Sequence, residues 1–269
     1  MRAVALLATY DEERFVGACI EHLVAHGLEV YVIDNESSDR TVEIADAYRG
    51  RGVVGIESFP RHHVYAWRPL LERKAELATT HDADWLVHVD ADEIRLPPRS
   101  GQTLHDALAE ADREGYNAVD FLEFTFVPTR EHPDHDHPRF LETMRWYYPF
   151  APTVPNRLNA WKRQDVPVDL ASSGGHRVSF PGLRMYPEPF RMRHYLYLSL
   201  EHALTKYVGR AYDADEVAGG WHARRAALQA EHVSLLPESA LRRYVSDDEL
   251  DASEPLAEHP LFAGGTPAQ

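Results

Sequence analysis

The chain has 269 residues, enough for one large α/β domain or for one domain with a modest appendage. Its 28 Lys and Arg are outnumbered by 43 Asp and Glu, and the formal net charge of -15 disfavours general attraction to nucleic acid or to an anionic membrane. The single cysteine, Cys19, excludes an internal disulfide and predicts a buried structural thiol in a reducing, cytoplasmic environment.

The chain begins with an apolar run at 3–8, which is shorter than the apolar core of a secretion signal. No stretch of the sequence approaches the roughly 18 apolar residues of a membrane span. We therefore expect a soluble protein without a transmembrane segment.

The first hundred residues alternate between strand and helix patterns. Short apolar runs predict strands at 4–8, 29–33, 53–59 and 85–89. Helical spacing of apolar residues predicts helices at 12–26, 41–48 and 67–80. This alternation predicts an α/β fold, with a mostly parallel sheet and helices on both faces. Residues 1–100 are expected to form a nucleotide-binding half.

Beyond residue 100 the pattern is less regular. A helix at 103–113 and a strand-rich run at 118–127 precede residues 128–160, whose prolines predict a long irregular excursion that forms an acceptor site or lid. Helical patterns return at 196–212 and 221–231. We predict one domain over 1–240, with 101–240 as its acceptor-side half and C-terminal helices, and an acidic, partly mobile tail over 241–269.

An acidic motif, Asp90-Ala91-Asp92-Glu93, follows the fourth predicted strand directly. Ligands of open α/β sheets bind at the carboxyl ends of the strands. Carboxylates packed this closely repel one another, and a hard divalent cation among their oxygens relieves that repulsion. The motif therefore predicts a metal site, although an acidic turn in water is the simpler interpretation of such a short pattern.

Two other strand ends are polar. The first strand ends in Thr9-Tyr10-Asp11-Glu12, and the second is followed by Asp34-Asn35-Glu36-Ser37-Ser38-Asp39-Arg40-Thr41. In a parallel sheet these turns lie at the same edge as the acidic motif, so we expect Thr9, Asp11 and Asp34 to help bind a ligand there. Asp34 could accept hydrogen bonds from a base or ribose. Helix capping by Ser38 or Asp39 is the alternative use of the second turn.

These motifs resemble those of family 2 glycosyltransferases with the GT-A fold. The turn at 33–41 is similar to the family's S-x-D-x-T turn, and Asp90-Ala91-Asp92-Glu93 is similar to its DxD motif in the form of one bacterial branch. Later matches are Asp169-Leu170-Ala171-Ser172-Ser173-Gly174-Gly175-His176 and Arg193-His194-Tyr195, followed by Lys206 and Gly220-Trp221-His222. The resemblance covers roughly residues 3–225.

The resemblance implies transfer of a sugar, with inversion, from a nucleoside diphosphate sugar to a glycan, lipid-linked or small-molecule acceptor, and a UDP-linked donor is expected. It implies that Asp34 contacts the base and Asp90 the ribose or the metal. Asp92 and His194 are implied to hold the metal, Mn²⁺ or Mg²⁺, which acts as a Lewis acid on the departing diphosphate. Lys74 matches a basic position of the nucleotide site, and a solvated helix lysine is its alternative interpretation.

Inverting transfer also needs a base within reach of the acceptor hydroxyl. Asp169 is the first candidate, because it belongs to the motif at 169–176, whose glycines could let the chain pass close to a ligand. Glu123 is the second, since a carboxylate in an apolar strand could have a raised pKa. His176 is expected to position the acceptor or a phosphate, or to be a core histidine with satisfied hydrogen bonds.

Two other functions compete with sugar transfer. A nucleotidyltransferase of similar α/β build would hold metal around a triphosphate, but the first loop, Ala8-Thr9-Tyr10-Asp11, lacks a glycine and lysine phosphate cradle. A non-catalytic carbohydrate-binding or metal-binding module would use the His and Asp residues of the loop at 131–137 to bind Zn²⁺, although such a loop is more often solvated.

Overall fold

Ten strands and nine α-helices occur in residues 1–263, the part of the chain that the computed structural model describes. The strands are β1 (Ala3–Thr9), β2 (Glu29–Asp34), β3 (Val53–Ser58), β4 (Trp85–Asp90), β5 (Glu93–Leu96), β6 (Ala118–Phe126), β7 (Trp146–Phe150), β8 (Leu158–Lys162), β9 (Phe190–Tyr195) and β10 (Arg242–Arg243). The helices are α1 (Val16–Ala25), α2 (Thr41–Asp46), α3 (Trp67–Thr80), α4 (Leu104–Arg113), α5 (Phe140–Thr143), α6 (Leu200–Tyr207), α7 (Ala214–Ala218), α8 (Ala223–Ala226) and α9 (Pro260–Ala263).

The chain folds into two units. The first contains residues 1–61, 67–122 and 155–192, and the second contains residues 62–66, 123–154 and those from 193 onward. Strands β6 and β9 each contribute residues to both units. The boundaries at 100 and 240 stay a prediction, and the end of the predicted mobile tail, residues 264–269, lies outside the described residues.

The centre of the first unit is a parallel sheet. β1 lies between β2 and β4, and β3 pairs with the outer side of β2, all in parallel. All seven residues of β1 are buried, as expected for an apolar run covered on both faces. The four strands predicted within residues 1–100 therefore form, and the predicted α/β fold class of the GT-A type is confirmed.

The sheet becomes mixed beyond β4. β8 pairs antiparallel with β4, and the first residues of β6 pair antiparallel with β8. The prediction of an irregular excursion over 128–160 is therefore wrong at β7 and β8. Aromatic side chains favour a pleated strand strongly enough to outweigh nearby prolines, and Pro149 of β7 itself pairs with Phe124 of β6.

The second unit is built on the end of β6, which pairs antiparallel with β7, while β10 pairs with the other side of β7. The short helices α6 to α9 belong to the same unit. Leu261 and Phe262 of α9 pack into a core that also contains Tyr148, Phe150 and Tyr207. Among residues 1–263, no helix is both long and apolar enough to cross a bilayer. The cytoplasmic location stays a prediction.

Candidate active site

Three polar strand ends lie side by side in the first unit. Thr9 is the register partner of Asp34 across β1 and β2, and Ala8 is the partner of Asp90 across β1 and β4. Thr9 and Asp34 are 3% and 4% exposed, and the Thr9 hydroxyl donates to Asp34 Oδ1 at 3.2 Å. The parallel register thus brings together the strand ends that the sequence predicted to converge.

The turn after β2 is ordered around the Asp34 carboxylate. The backbone amide of Ser37 donates to Asp34 Oδ2 at 3.0 Å, and the Ser37 hydroxyl donates to Oδ1. A carboxylate has about four acceptor positions, so these bonds and the one from Thr9 leave capacity for a donor from a ligand. The structure therefore gives Asp34 a local role and leaves its predicted base contact possible.

Asp11 joins the first turn to the second. Its Oδ1 accepts the backbone amides of Ser38 at 2.6 Å and of Asp39 at 3.3 Å, and its own backbone has a positive φ of 53°. Asp39 Oδ1 in turn accepts the amide of Thr41 at 2.9 Å, at the first residue of α2. Helix capping by Asp39, the alternative use of this turn, is thus observed, and Asp11 holds the two turns together. Its predicted ligand contact stays a prediction.

The acidic motif forms the tight turn from β4 to β5. Glu93 is 3% exposed and is bound by Arg95, whose Nη2 lies 2.6 Å from Glu93 Oε2. The same carboxylate oxygen accepts the backbone amide of Asp90 at 3.2 Å. Arg95 Nη2 also donates to the His88 carbonyl at 3.1 Å. Glu93 therefore anchors the turn, which leaves Asp90 and Asp92 as the carboxylates of the motif that could hold a ligand.

Asp90 presents one buried and one accessible oxygen. Its side chain is 38% exposed, yet Oδ1 is buried and has no partner within hydrogen-bond distance among the described residues. Burial raises the pKa of Asp90 to about 6, Lys74 opposes that rise, and Glu93 and Asp92 add to it. Asp92 is 8% exposed. A divalent cation would satisfy the buried oxygen and offset the repulsion among these carboxylates, so the donor set fits a hard metal ion.

Lys74 is fully buried beside this turn. Its Nζ lies 2.8 Å from His88 Nδ1, 3.0 Å from the Val89 carbonyl and 3.7 Å from Asp90 Oδ1. Burial lowers the pKa of Lys74 to about 8, and Asp90 and Glu93 partly oppose that shift. The alternative interpretation of Lys74 as a solvated helix lysine is therefore wrong, since α3 directs the ammonium group into the core behind the motif.

Cys19 lies under the same turn, as a buried thiol. Its Sγ is 3.7 Å from the Glu93 carbonyl and 3.9 Å from the Asp90 carbonyl. Burial, followed by the nearby carboxylates of Glu93 and Asp92, raises the thiol pKa. The group therefore stays protonated and unreactive, as predicted for a structural cysteine.

The motif at 169–176 forms a turn packed against α3 and β4. Asp169 is exposed, and hydrogen bonds from Ser172, whose backbone amide lies 2.9 Å from Asp169 Oδ1, lower the Asp169 pKa. The Gly174 carbonyl accepts from Trp67 Nε1 at 2.9 Å, and the Gly175 carbonyl accepts from Asn159 Nδ2 at 2.7 Å. The glycines observed here bring the chain close to side chains of the protein. Whether Asp169 acts as the base stays a prediction.

His88, Arg95 and Asn159 form a polar layer behind the motif that the sequence analysis missed. Asn159 Oδ1 accepts from Arg95 Nη2 at 3.2 Å, and both residues are fully buried. His88 lies within the apolar run of β4, and burial, then Lys74 and Arg95, lower its pKa well below the ordinary value. A polar side chain inside such a run was the one available sequence signal, while Asn159 had none.

The second unit holds His194 and Glu123 in contact. His194 Nδ1 lies 2.7 Å from Glu123 Oε1, and both residues are buried. His259 completes the group: one ligand atom from each of the three residues lies within 4.8 Å of the others. His259 belongs to the acidic tail, where no sequence motif pointed to a role. The predicted joint role of His194 and Asp92 stays a prediction.

The loop at 131–137 does not form the zinc cluster that the competing interpretation requires. His132 Nδ1 lies 2.6 Å from Glu238, and His135 Nδ1 lies 2.9 Å from the Thr143 hydroxyl. Within residues 1–263, the group of three potential ligands that meets the 4.8 Å criterion is Glu123, His194 and His259. The contacts of the loop are therefore those of ordinary surface and turn residues.

Comparison with known proteins finds one matching family model and several similar solved structures. The family model described as Glycosyl transferase family 2 matches residues 5–163. No curated protein matches the chain. Among solved structures, S. aureus TarS 1–349 in complex with UDP is 13% identical with a TM-score of 0.43, and the match covers 73% of this chain and 61% of that one. Glucosyl-3-phosphoglycerate synthase from Mycobacterium tuberculosis, in complex with Mn²⁺, UDP and glucosyl-3-phosphoglycerate, is 19% identical with a TM-score of 0.33, covering 45% and 44%.

Proposed function

Because the chain belongs to glycosyl transferase family 2, we propose that it moves a sugar from a nucleoside diphosphate sugar, specifically a UDP-sugar, to a hydroxyl acceptor. Transfer proceeds with inversion at the anomeric carbon and depends on Mn²⁺ or Mg²⁺. The family supports glycosyl transfer. The choice of UDP, the inversion and the metal rest on the motif resemblance and on the chemistry of the site residues.

The observation that carries the proposal is the state of Asp90 at the meeting point of three strand ends. Its Oδ1 is buried without a hydrogen-bond partner, beside Asp92 and in register with the strand that ends at Thr9. Asp90 and Asp92 would hold the metal, which supplies Lewis-acid chemistry for the negative charge on the departing diphosphate. Glu93 and Arg95 keep the turn in place from below.

Other residues at the strand ends bind and orient the donor. Asp34, fixed by Thr9 and Ser37, accepts a hydrogen bond from the imide N–H of the base. Asp11 fixes the turn that carries Asp34. Lys74 does not reach the surface of the site, and its buried ammonium group places positive charge 3.7 Å from Asp90 Oδ1. These roles predict that an Asp34 variant loses base selectivity, whereas a Lys74 variant changes the protonation of the acidic motif.

The base and the third metal ligand rest on the resemblance. Asp169 is our candidate base on the strength of the motif at 169–176: its carboxylate is exposed, and hydrogen bonds from Ser172 lower its pKa. Asp169→Asn is then expected to lose turnover and to keep UDP binding. If turnover persists, Glu123→Gln is the next variant to measure. The resemblance also assigns His194 to the metal of Asp92.

Sugar transfer is favoured over both alternatives. Family membership disfavours a nucleotidyltransferase. A zinc-binding module would need three converging ligand atoms in the loop at 131–137. Among the described residues, 1–263, no such group includes residues of this loop.

The deciding experiment combines nucleotide binding with one metal-ligand variant. Thermal unfolding is measured with UDP, GDP, CDP, dTDP and ADP, each with and without Mn²⁺, for the wild type, Asp92→Asn and the control Asp82→Asn, whose side chain is 98% exposed. UDP is expected to raise the melting temperature of the wild type and of the control only when Mn²⁺ is present. Asp92→Asn should unfold normally but lose that metal-dependent shift.

Turnover of UDP-sugars supplies the second readout. Wild-type turnover by Asp92→Asn would contradict the metal role of this residue. A metal-independent shift with UDP would remove the metal but keep the donor class. The absence of a shift with every nucleotide would contradict the donor assignment itself.

A further inference from the structure

Three potential metal ligands converge in the interior of the second unit. They are distant along the chain from the acidic motif at 90–93. Glu123 lies on β6, His194 on β9 and His259 directly before α9, and they are 2%, 6% and 8% exposed. One nitrogen or oxygen atom from each lies within 4.8 Å of the others. A first coordination sphere around a metal with bonds of about 2 Å places its ligand atoms at such separations.

Neighbouring groups hold the three side chains in orientation. The Tyr148 hydroxyl lies 2.9 Å from His259 Nδ1, and the ring of Phe150 stacks on the His259 ring with centroids 3.7 Å apart. The Thr125 hydroxyl donates to Glu123 Oε1 at 3.2 Å. Metal-binding histidines commonly use one ring nitrogen for such a bond and the other for the metal. Tyr148 thereby selects Nε2 of His259 as the metal-facing atom.

The donor set and its charge indicate the kind of ion. Two imidazoles and one carboxylate form a ligand set that binds Zn²⁺ and related transition-metal ions, with a further position for water or another ligand. Neutral imidazoles and an ionised carboxylate are the forms that bind a metal, and in a buried place a divalent cation would compensate the negative charge of such a set. We propose that Glu123, His194 and His259 together bind one divalent transition-metal ion, Zn²⁺ first.

Such an ion would fasten the C-terminal segment to the strands of this unit. His259 precedes α9, whose Leu261 and Phe262 pack in the same core as Tyr148 and Phe150. The metal would therefore stabilise α9 in its packed position. This proposal does not rest on sugar transfer, and it places His194 with Glu123 and His259, whereas the resemblance places it with Asp92. The two assignments give different results for the same variants.

The test uses the full chain, stripped of metal with EDTA and titrated with ZnCl₂ by calorimetry without nucleotide. The wild type is expected to show a Zn²⁺ binding event at the cluster of Glu123, His194 and His259, and His259→Gln to weaken that event at least ~100-fold. Tyr148→Phe, which removes only the orienting hydroxyl, should weaken binding by about 10-fold or more. Two controls should keep the binding event at the cluster with wild-type affinity: Asp92→Asn, which removes a candidate ligand of the acidic motif, and His135→Ala/His137→Ala, which removes histidines of the same unit outside the cluster.

Several results would overturn the proposal. The wild type could fail to bind Zn²⁺, in which case the cluster is a metal-free group of hydrogen-bonded side chains. His259→Gln could bind with wild-type affinity. Asp92→Asn could lose the ion, which would assign it to the acidic motif. Should His259→Gln fail to fold, the melting temperatures of the wild type and Asp92→Asn decide. Zn²⁺ must raise both, and a rise absent from either contradicts a separate site.

Discussion

Gly175 gives the sharpest test of how the turn at 169–176 is held against the candidate site. Its φ is +85°, a left-handed conformation that costs an L-residue about 1–2 kcal/mol. A Cβ there would lie 2.9 Å from Leu71 Cδ2 and 3.3 Å from both His88 Nε2 and Trp67 Nε1. All three neighbouring side chains are buried, so they have little room to move, and such crowding costs a further 1–3 kcal/mol or so.

We therefore expect Gly175→Ala to lower the free energy of unfolding by about 2–5 kcal/mol, measured by urea denaturation. Gly182→Ala is the matched control, because Gly182 has a similar φ of +77° and no atom within 4 Å of the added Cβ. The control should lose only the conformational part, about 1–2 kcal/mol. Equal losses for the two variants would refute the argument that Gly175 is required by close packing against α3 and β4.

Three further predictions concern ionisation and helix capping. Lys74 has a pKa of about 8 in the fold against an ordinary 10.5, so the unfolded chain binds this proton more tightly. The free energy of unfolding should therefore rise between pH 8 and 10.5. In urea titrations at pH 8 and 10, Lys74→Met should lack about 2–3 kcal/mol of that rise. Burial, then Arg225 and Arg210, lower the pKa of His222 to about 3, so folding is destabilised as pH falls from 6.5 towards 3. His222→Gln should therefore lose about 2–3 kcal/mol less than the wild type between pH 7 and 4.5, and identical acid profiles would contradict the shift. The Thr103 side chain accepts a hydrogen bond from the backbone amide of Asp106 at the start of α4. Thr103→Ala should lower the free energy of unfolding by about 1 kcal/mol at neutral pH. An unchanged free energy of unfolding would show that this cap is dispensable.

Much of the first unit follows from local patterns. A strand such as Ala3–Thr9 has no polar face, so both of its faces must be covered by other parts of the protein. Parallel strands share one edge for their carboxyl ends, and this geometry alone placed Thr9, Asp34 and Asp90 together. The fold class and the family were accordingly predictable from the sequence, whereas the membership of one bacterial branch stays a prediction.

The sequence was less informative where polar groups meet their partners. Whether Lys74 faces water or core depends on the side of α3 that packs on β4, and only the folded chain sets that packing. The carboxylate of Asp11 also holds the neighbouring turn through backbone amides, which carry no sequence signal, and its predicted ligand contact stays a prediction. The strand at 146–150 was hidden because the prolines of 128–160, with Pro149 among them, predicted a loop.

What the sequence by itself determined is the set of strands and helices in the first hundred residues and the edge at which their polar ends meet, since periodicity and burial are local properties. The tertiary structure alone decided which buried charges are paired and which distant residues converge. Glu123, His194 and His259 lie far apart along the chain, and their meeting depends on the pairing of β9 with β6 and on the packing of α9. No local pattern encodes such a contact, because each of the three residues is individually compatible with an ordinary core or surface position.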